Sequence, residues 1–307
     1  MSLPAVVPTL RVLATAAVIA LLAACGSDRA GSEAPADGAT VATAPDPTTL
    51  RRGNGPEPDT LDPQRARTDA SFNILRDLFE GLTSIGADGS AAPGAAESWQ
   101  VSDDGLIYTF RLRDGLRWSN GDALRAADYV AGMRRLVDPA TASPYAQAFE
   151  AVVNSAAIVR GEKAPDTLGV SAPDDRTVVI QLVNPAPYLL GLLAQPGTFP
   201  VHGASLAQHG AAYARPGNLV SNGAFVLADW IVGSHVVAAR NPHYWNDAQT
   251  RVQRVHYLHH ADAGTEFRQY RAGELDVTYI VPPPQFGWIQ ENLPGELHVS
   301  PQLSTYY

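Results

Sequence analysis

SDDGLIYTFRLRDGLRWSNGD, residues 102–122, has the pattern of a β-strand between two tight turns. The turns are predicted at DDG and RDG, where Gly105 and Gly115 can adopt the positive φ that such turns need. Between them, apolar and other side chains alternate with the period of two that is typical of a strand with one buried face. The residues predicted to face inward are Leu106, Tyr108, Phe110 and Leu112.

A helix is predicted directly after this strand. Residues 126–137 follow the SNGD turn with apolar side chains at helical spacing, and the Asp-Pro pair at 138–139 ends the pattern. Its inward face is predicted to contain Ala127, Val130, Ala131, Met133, Leu136 and Val137. A second helix is predicted over residues 69–81, with Thr68 or Asp69 as its N-cap.

The other predicted elements alternate between strands and helices without a strict strand–helix–strand repeat. Strands are expected at 48–53, 177–182, 223–231, 235–240, 252–259 and 275–281, and helices at 187–194 and 265–272. Gly273 is expected to close the last helix. The pattern predicts an α/β fold with mixed sheets and flanking helices.

The N-terminus has the features of an export signal. Arg11 precedes an apolar run over residues 12–24, which is shorter than the roughly 20 residues of a membrane-spanning helix. Cys25 follows the letters LLAA, which resemble the lipobox of bacterial lipoproteins. We therefore expect a signal peptide over residues 1–24, lipidation of Cys25, and a flexible tether through residue 47. An ordinary secretory signal with a coincidental cysteine is the alternative.

Composition narrows the possible functions. The chain has 307 residues, of which 45% are hydrophobic and 17% charged, so most of it should be globular and long enough for two domains. The formal net charge of −9 disfavours a nucleic-acid partner. With one cysteine, neither an intrachain disulfide nor a cysteine-rich zinc site can form.

Catalytic and metal-binding patterns are scarce. The sequence contains no G-x-S-x-G, H-E-x-x-H, C-x-x-C or phosphate-binding loop pattern. On a strand, His256 and His260 would share a face while His259 points away, so a metal site with Asp262 is disfavoured. We predict no enzyme activity, no cofactor and no metal.

The paired carboxylates of the RRGNGPEPD segment are a further candidate for acid/base chemistry. Glu57 and Asp59 lie close to Arg51 and Arg52 in a proline-rich loop, which favours a solvated or salt-bridged turn.

An ordered set of segments resembles the oligopeptide- and dipeptide-binding receptors of bacterial ABC importers, the large periplasmic binding proteins of solute-binding family 5. The segments, which extend from residue 57 to residue 307, are EPDTLDP, RDLFEGL, residues 93–122, AADYVAGMRRLVDPATASPYA, PGNLVSNGAF, RNPHYWN, YRAGELDVTY and the final TYY. The resemblance implies a class II-like periplasmic binding fold and a non-catalytic clamp that closes by hinge motion.

The resemblance also implies which residues face the ligand. Peptide-binding members pair receptor backbone with an extended peptide, and roomy pockets take its side chains. Carried over to this sequence, the loop Arg67, Thr68 and Asp69 supplies backbone partners, and Tyr145 reaches the ligand from the smaller lobe. The end of the 275–281 strand, at Tyr279, Ile280 and Val281, is expected to pair with the peptide near the hinge.

By the same resemblance, the sequence is an N-terminal portion. Lobe one is expected from residues 48–78 and 203–307, with a small α/β domain at 79–202 inserted into it and the second lobe missing. We therefore expect a truncated form.

The expected partners are short peptides and the permease subunits of an importer, with no nucleic acid and a membrane contact only through the lipid anchor. The expected location is the periplasm, and the complete receptor is expected to be a monomer. Two alternatives stay open: the same family with a muropeptide, heme, nickel-chelate or sugar ligand, and a surface lipoprotein that acts through protein contacts without transport.

Overall fold

The computed structural model describes residues 46–299. Its strands are β1 (Thr49–Gly53), β2 (Thr83–Ile85), β3 (Ala91–Pro93), β4 (Ala96–Val101), β5 (Ile107–Leu112), β6 (Val170–Asp174), β7 (Thr177–Gln181), β8 (Phe225–Ile231), β9 (His235–Arg240) and β10 (Arg254–Leu258). Its helices are α1 (Asp69–Leu78), α2 (Ala126–Val137), α3 (Ser155–Val159), α4 (Leu189–Leu192), α5 (Gly203–His209), α6 (Ala263–Arg271) and α7 (Phe286–Asn292).

The first sheet joins segments that are far apart in sequence. Its strand order is β1–β10–β9–β8, with β1 parallel to β10 and the remaining pairs antiparallel. Parallel pairing brings the carboxyl ends of β1 and β10 to the same edge of the sheet. One face of the sheet packs on α1, where the buried Tyr257 of β10 donates a hydrogen bond to Asp77.

The second sheet is antiparallel, in the order β4–β5–β7–β6. The strand predicted from the alternating pattern is β5, and its Tyr108, Phe110 and Leu112 are buried as predicted. Phe110 lies opposite Trp99 of β4 and Val178 of β7 in the ladder. A short hairpin of β2 and β3 precedes this sheet.

Helix α2 covers the second sheet and has the predicted bounds, but its buried face differs from the predicted one. Ala127 and Ala131 are exposed, whereas Tyr129 and Gly132 are buried. Gly132 is on the inner face because the backbone of Phe199 passes so close that a Cβ would overlap it. An alanine satisfies a helical pattern on either face, because its small side chain gains little from burial.

Large aromatic side chains fill the core. Trp118, Tyr129, Phe110 and Phe149 are almost completely buried. Burial of each such side chain contributes roughly 1.5–3 kcal/mol.

Two predicted helices are shorter than expected. Helix α1 ends at Leu78 rather than at residue 81, because Phe79 takes the extended values φ −129° and ψ 159°. The helix predicted at 187–194 is a single turn, α4. The segments that follow α1 and α4 pack closely on each other, since a Cβ on Gly81 would overlap the carbonyl oxygen of Leu193.

The strand predicted at 275–281 is wrong. Only Val277 forms a bridge, with Arg52 of β1, and the chain then leaves the sheet. The alternating letters LDVTYIV resemble a strand, but three consecutive prolines follow at 282–284 and remove three backbone donors.

Several predictions concern residues outside the described range. These are the signal peptide, the lipidation of Cys25, nearly all of the tether, and the final TYY. The division into lobe one and an inserted domain stays a prediction. Within residues 46–299, no helix combines the length and apolarity that crossing a bilayer requires.

Candidate functional site

A turn at the carboxyl end of β1 is the centre of the candidate site. Asn54 is buried, and its Nδ2 donates to the carbonyl oxygen of Ala70 in the first turn of α1 at 2.9 Å. Its Oδ1 accepts from Nδ2 of Asn73 at 3.3 Å. Gly55 follows with φ 64°, a left-handed conformation that glycine adopts without strain. These contacts fix the turn against the N-terminal end of α1.

Asp59 holds the predicted ligand loop at the start of α1. Its carboxylate accepts from the backbone N–H of Arg67 at 3.2 Å, from Oγ1 of Thr68 at 3.1 Å and from Oγ of Ser71 at 2.7 Å. Burial raises the pKa of Asp59, but these hydrogen bonds outweigh it and lower the pKa below its ordinary value. Thr68 is the N-cap, as predicted, and accepts from the N–H of Ser71 at 3.2 Å.

Tyr145 lies against the same loop. Its hydroxyl donates to the carbonyl oxygen of Arg67 at 3.2 Å, and its ring centroid is 5.5 Å from that of Phe72 on α1. The side chain is still 41% exposed. Burial, with smaller contributions from Asp69 and Asp59, raises the pKa of Tyr145, so the hydroxyl keeps its proton. The fold therefore brings together two of the three predicted ligand segments, although both backbone polar groups of Arg67 are engaged within the chain.

The third predicted segment runs beside β1. The N–H of Gly53 donates to the carbonyl oxygen of Val277 at 2.8 Å, and Arg51 pairs with Asp276 at 2.6 Å. Beyond this bridge, the ring of Tyr279 lies over Gly55, where a Cβ would be only 2.6 Å from Cδ1 of the ring. Tyr279 therefore packs on the same turn that Asn54 attaches to α1.

A cavity of about 520 Å³ adjoins this third segment. Its walls are residues 276–281, Phe267 and Tyr270 of α6, Ile289 of α7 with Leu293, and residues 295–298. The hydroxyl of Tyr270 donates to Glu296, and this bond raises the pKa of Tyr270 to about 12. Among the described residues, the lining contains no lysine or arginine, so its polar groups are mainly acidic and neutral.

The sequence did not predict the hydrogen bonds that the carboxylates of residues 57 and 59 accept. Rather than pairing with Arg51 or Arg52, Glu57 accepts from Nε1 of Trp230 at 2.7 Å and from the N–H of Gly233 at 2.9 Å. Asp59 orders the start of α1, as described above. The pattern Thr68-x-x-Ser71 at a helix start signals the cap. Nothing local signals Asp59, because it lies nine residues before Thr68 and meets it only through the loop.

The histidines near the end of β10 do not converge. The ring of His256 stacks on His235 with centroids 6.4 Å apart, whereas Nε2 of His260 lies 2.5 Å from Oε1 of Gln269. Within residues 46–299, no three histidine, cysteine, aspartate or glutamate side chains are placed to hold a metal ion.

Comparison with known families identifies the class of protein. Residues 90–307 match the family described as "Bacterial extracellular solute-binding proteins, family 5 Middle". The chain belongs to the family 5 extracellular solute-binding proteins, as its sequence motifs predicted.

Individual relatives agree with this assignment. The chain is 41% identical over 302 residues to the periplasmic oligopeptide-binding protein OppA of Escherichia coli (strain K12), covering 97% of this chain and 54% of the relative. It is 43% identical over 260 residues to the probable deoxycholate-binding periplasmic protein YgiS of the same organism, covering 84% of this chain and 48% of the relative. The chain spans about half the length of the curated relatives it matches.

Solved structures confirm the predicted fold class. The Escherichia coli murein tripeptide binding protein MppA superposes with a TM-score of 0.77 and 38% identity, over 80% of this chain and 48% of that one. Haemophilus influenzae OppA, in complex with RPPGFSPFR, also has a TM-score of 0.77 and 38% identity, over 81% of this chain and 49% of that one.

Proposed function

We propose that this chain is part of the peptide-binding receptor of an ABC importer, held at the membrane by a lipid on Cys25 and working with the permease subunits. The observation that carries the proposal is a series of contacts that links all three predicted ligand segments through the first turn of α1 and the Asn54–Gly55 turn. Asn54 bonds the first turn of α1, Tyr145 bonds Arg67, and Tyr279 packs on Gly55.

Backbone chemistry supports a peptide as the ligand. Among the described residues, the N–H groups of Ile280 and Val281 have no hydrogen-bond acceptor, and Ile280 is 48% exposed. Backbone donors that the protein itself leaves unused can pair with the backbone of a peptide. Because main-chain groups are common to all peptides, such pairing favours affinity without strong sequence preference.

The cavity beside Tyr279 suits the amino-terminal end or an uncharged side chain of a peptide better than a carboxylate. A carboxylate, whether on a steroid or at the C-terminus of a peptide, needs a cationic partner when it is desolvated. The described lining offers Glu296 and Asp276 instead, and Asp276 already pairs with Arg51. An ammonium group or an uncharged side chain suits this surface better.

Calorimetric titration of the purified complete receptor with three ligands tests the proposal. The ligands are trialanine, the murein tripeptide, whose γ-glutamyl bond interrupts the regular backbone, and deoxycholate. We expect trialanine to bind at least as tightly as the murein tripeptide and deoxycholate not to bind. Binding of deoxycholate without binding of either peptide would overturn the peptide assignment, and a clear preference for the murein tripeptide would replace it with the muropeptide alternative.

A further inference from the structure

Glu266 is a buried acid next to the candidate site. It lies on α6 with 1% of its surface exposed, and its carboxylate accepts a hydrogen bond from the backbone N–H of Tyr279. Two residues earlier, Val277 forms a bridge with Arg52 and accepts a hydrogen bond from the N–H of Gly53. Glu266 therefore binds the backbone where the chain turns away from β1.

The surroundings of Glu266 are built to accommodate it. A Cβ on Gly53 would overlap the carboxyl group, so a larger residue at the end of β1 would displace the Glu266 side chain. On the other side, Nδ1 of His260 lies 4.0 Å from Oε2 of Glu266, and the N–H of His260 donates to the carbonyl oxygen of Gly55 at 2.7 Å. The cluster thus connects α6, the end of β10, the Gly55 turn and the Tyr279 segment.

Packing alone does not explain an acid at this position. Burial raises the pKa of Glu266, while the Tyr279 N–H, His260 and Arg52 act in the opposite direction. A buried carboxyl is costly to desolvate and is retained only where its hydrogen bonds compensate for it. An apolar side chain would pack against Gly53 at lower cost but could not accept the N–H of Tyr279.

We propose that Glu266 is a positioning residue that sets the path of Tyr279, Ile280 and Val281 and so turns their backbone toward the ligand. The inference rests on the proposed peptide-binding function. It assigns to Glu266 no contact with the ligand itself, since the side chain is buried behind the segment.

Two substitutions distinguish the role of Glu266 as a hydrogen-bond acceptor from the packing of its side chain. Glu266→Gln keeps a carbonyl oxygen that can accept the Tyr279 N–H, whereas Glu266→Met keeps the length of the side chain without a comparable acceptor. We expect the methionine variant to bind trialanine about tenfold to hundredfold more weakly, as loss of one hydrogen bond to a charged group predicts. The glutamine variant should stay within about threefold of the unmodified protein. The same two changes at Glu274, an exposed acid just beyond α6, are the matched control and should leave affinity unchanged.

Amide hydrogen exchange reports the positioning directly. The Tyr279 amide should be protected in the unmodified protein and exchange about tenfold or more faster in Glu266→Met, while the amide of Val255 within β10 keeps its rate. In a second variant, Gly53→Ala, the added Cβ should displace the same carboxyl group from the side of β1. It should therefore also weaken trialanine binding and speed exchange of the Tyr279 amide. Gly203→Ala, where an added Cβ has open space, is its control.

The outcomes separate this inference from the function on which it rests. If the unmodified protein binds no peptide, the proposed function fails. If it binds peptide but a folded Glu266→Met retains full affinity or an unchanged Tyr279 exchange rate, only the positioning role is overturned. If Glu266→Met does not fold, the trialanine affinity and the Tyr279 exchange rate of Gly53→Ala test the positioning role instead.

Discussion

At the scale of single residues, Asp59 determines how the start of α1 is presented. It accepts hydrogen bonds from the backbone N–H of Arg67 and from the hydroxyls of Thr68 and Ser71, so one side chain orders both the predicted ligand loop and the helix cap. Glu57, two residues earlier, instead binds the turn after β8. The two carboxylates of one proline-rich loop therefore have separate structural roles.

Asp59→Ala should destabilise the protein by about 1 kcal/mol at pH 7, the usual net value of a hydrogen bond at a largely exposed site. Because hydrogen bonds lower the pKa of Asp59 in the folded chain, this contribution is complete above the unfolded value of about 4 and is lost as pH falls through the folded value. Urea unfolding between pH 7 and pH 3 measures it. Asp103→Ala, at an exposed turn, is the control and should leave the free energy of unfolding at pH 7 within about 0.5 kcal/mol of the unmodified protein.

Tyr145→Ala should weaken peptide binding by about tenfold or more, because it removes both the hydroxyl bond to Arg67 and the ring contact with Phe72. Tyr145→Phe retains the ring and measures the hydroxyl separately. Calorimetry with trialanine gives both affinities, and Tyr188→Ala, at a tyrosine that is 59% exposed, is the control. Unchanged affinity in Tyr145→Ala would remove this residue from the site.

At the scale of elements, α1 depends on its cap. Thr68→Ala should lower the free energy of unfolding by about 1 kcal/mol, since the N–H of Ser71 loses its acceptor. Thr68→Ser retains the oxygen and should recover most of the loss. Equal destabilisation by both variants in urea unfolding would mean that the threonine methyl group, rather than the cap, is responsible.

Element predictions were accurate where the evidence was local. Helix α2 has the predicted bounds because its apolar spacing and the Asp-Pro pair after it are both local signals. The prediction of a strand at 275–281 was wrong because alternating apolar residues form a strand only where a neighbouring strand can pair with them. There, Glu266 takes the Tyr279 N–H and three prolines follow.

At the scale of the whole molecule, a buried ion pair joins segments that the sequence predictions assign to different domains. Arg135 of α2 donates to both carboxylate oxygens of Asp62, each at 2.6 Å, and to Oε1 of Gln64 at 2.7 Å. The side chains of Arg135 and Asp62 are only 16% and 9% exposed. Such a pair stabilises a fold mainly because either partner alone would be a buried, uncompensated charge.

Asp62→Ala should therefore cost about 3 kcal/mol of unfolding free energy, whereas replacing Arg135 by Met in the same protein should recover part of it. A double-mutant cycle by urea unfolding measures this coupling. The exposed pair Arg160 and Glu162 is the control, and its cycle should show no measurable coupling. Additive losses at Asp62 and Arg135 would contradict the paired role.

The predicted lipid anchor has its own test at this scale. Cys25→Ser should move the protein from the membrane fraction to the soluble periplasmic fraction, because lipidation requires the thiol. The intact mass of the unmodified protein from its own cells should exceed the mass of its chain counted from Cys25 by the mass of the acyl chains. Membrane retention of the serine variant would mean that something other than a lipid on Cys25 holds the protein.

The family could be recognised from the sequence because an ordered set of motifs resembles it. The α/β class, the strand at β5, the bounds of α2 and the Thr68 cap could be predicted because periodicity, caps and turn residues act over a few neighbouring positions. Only the tertiary structure decided that β1 pairs with β10, that Arg51 meets Asp276 at a separation of 225 residues, and that Asp59 and Glu266 bind two of the predicted ligand segments. These contacts depend on which distant surfaces the chain brings together. A hydrogen bond between distant residues leaves no pattern in the neighbouring sequence, because it forms only once the fold has brought both partners together.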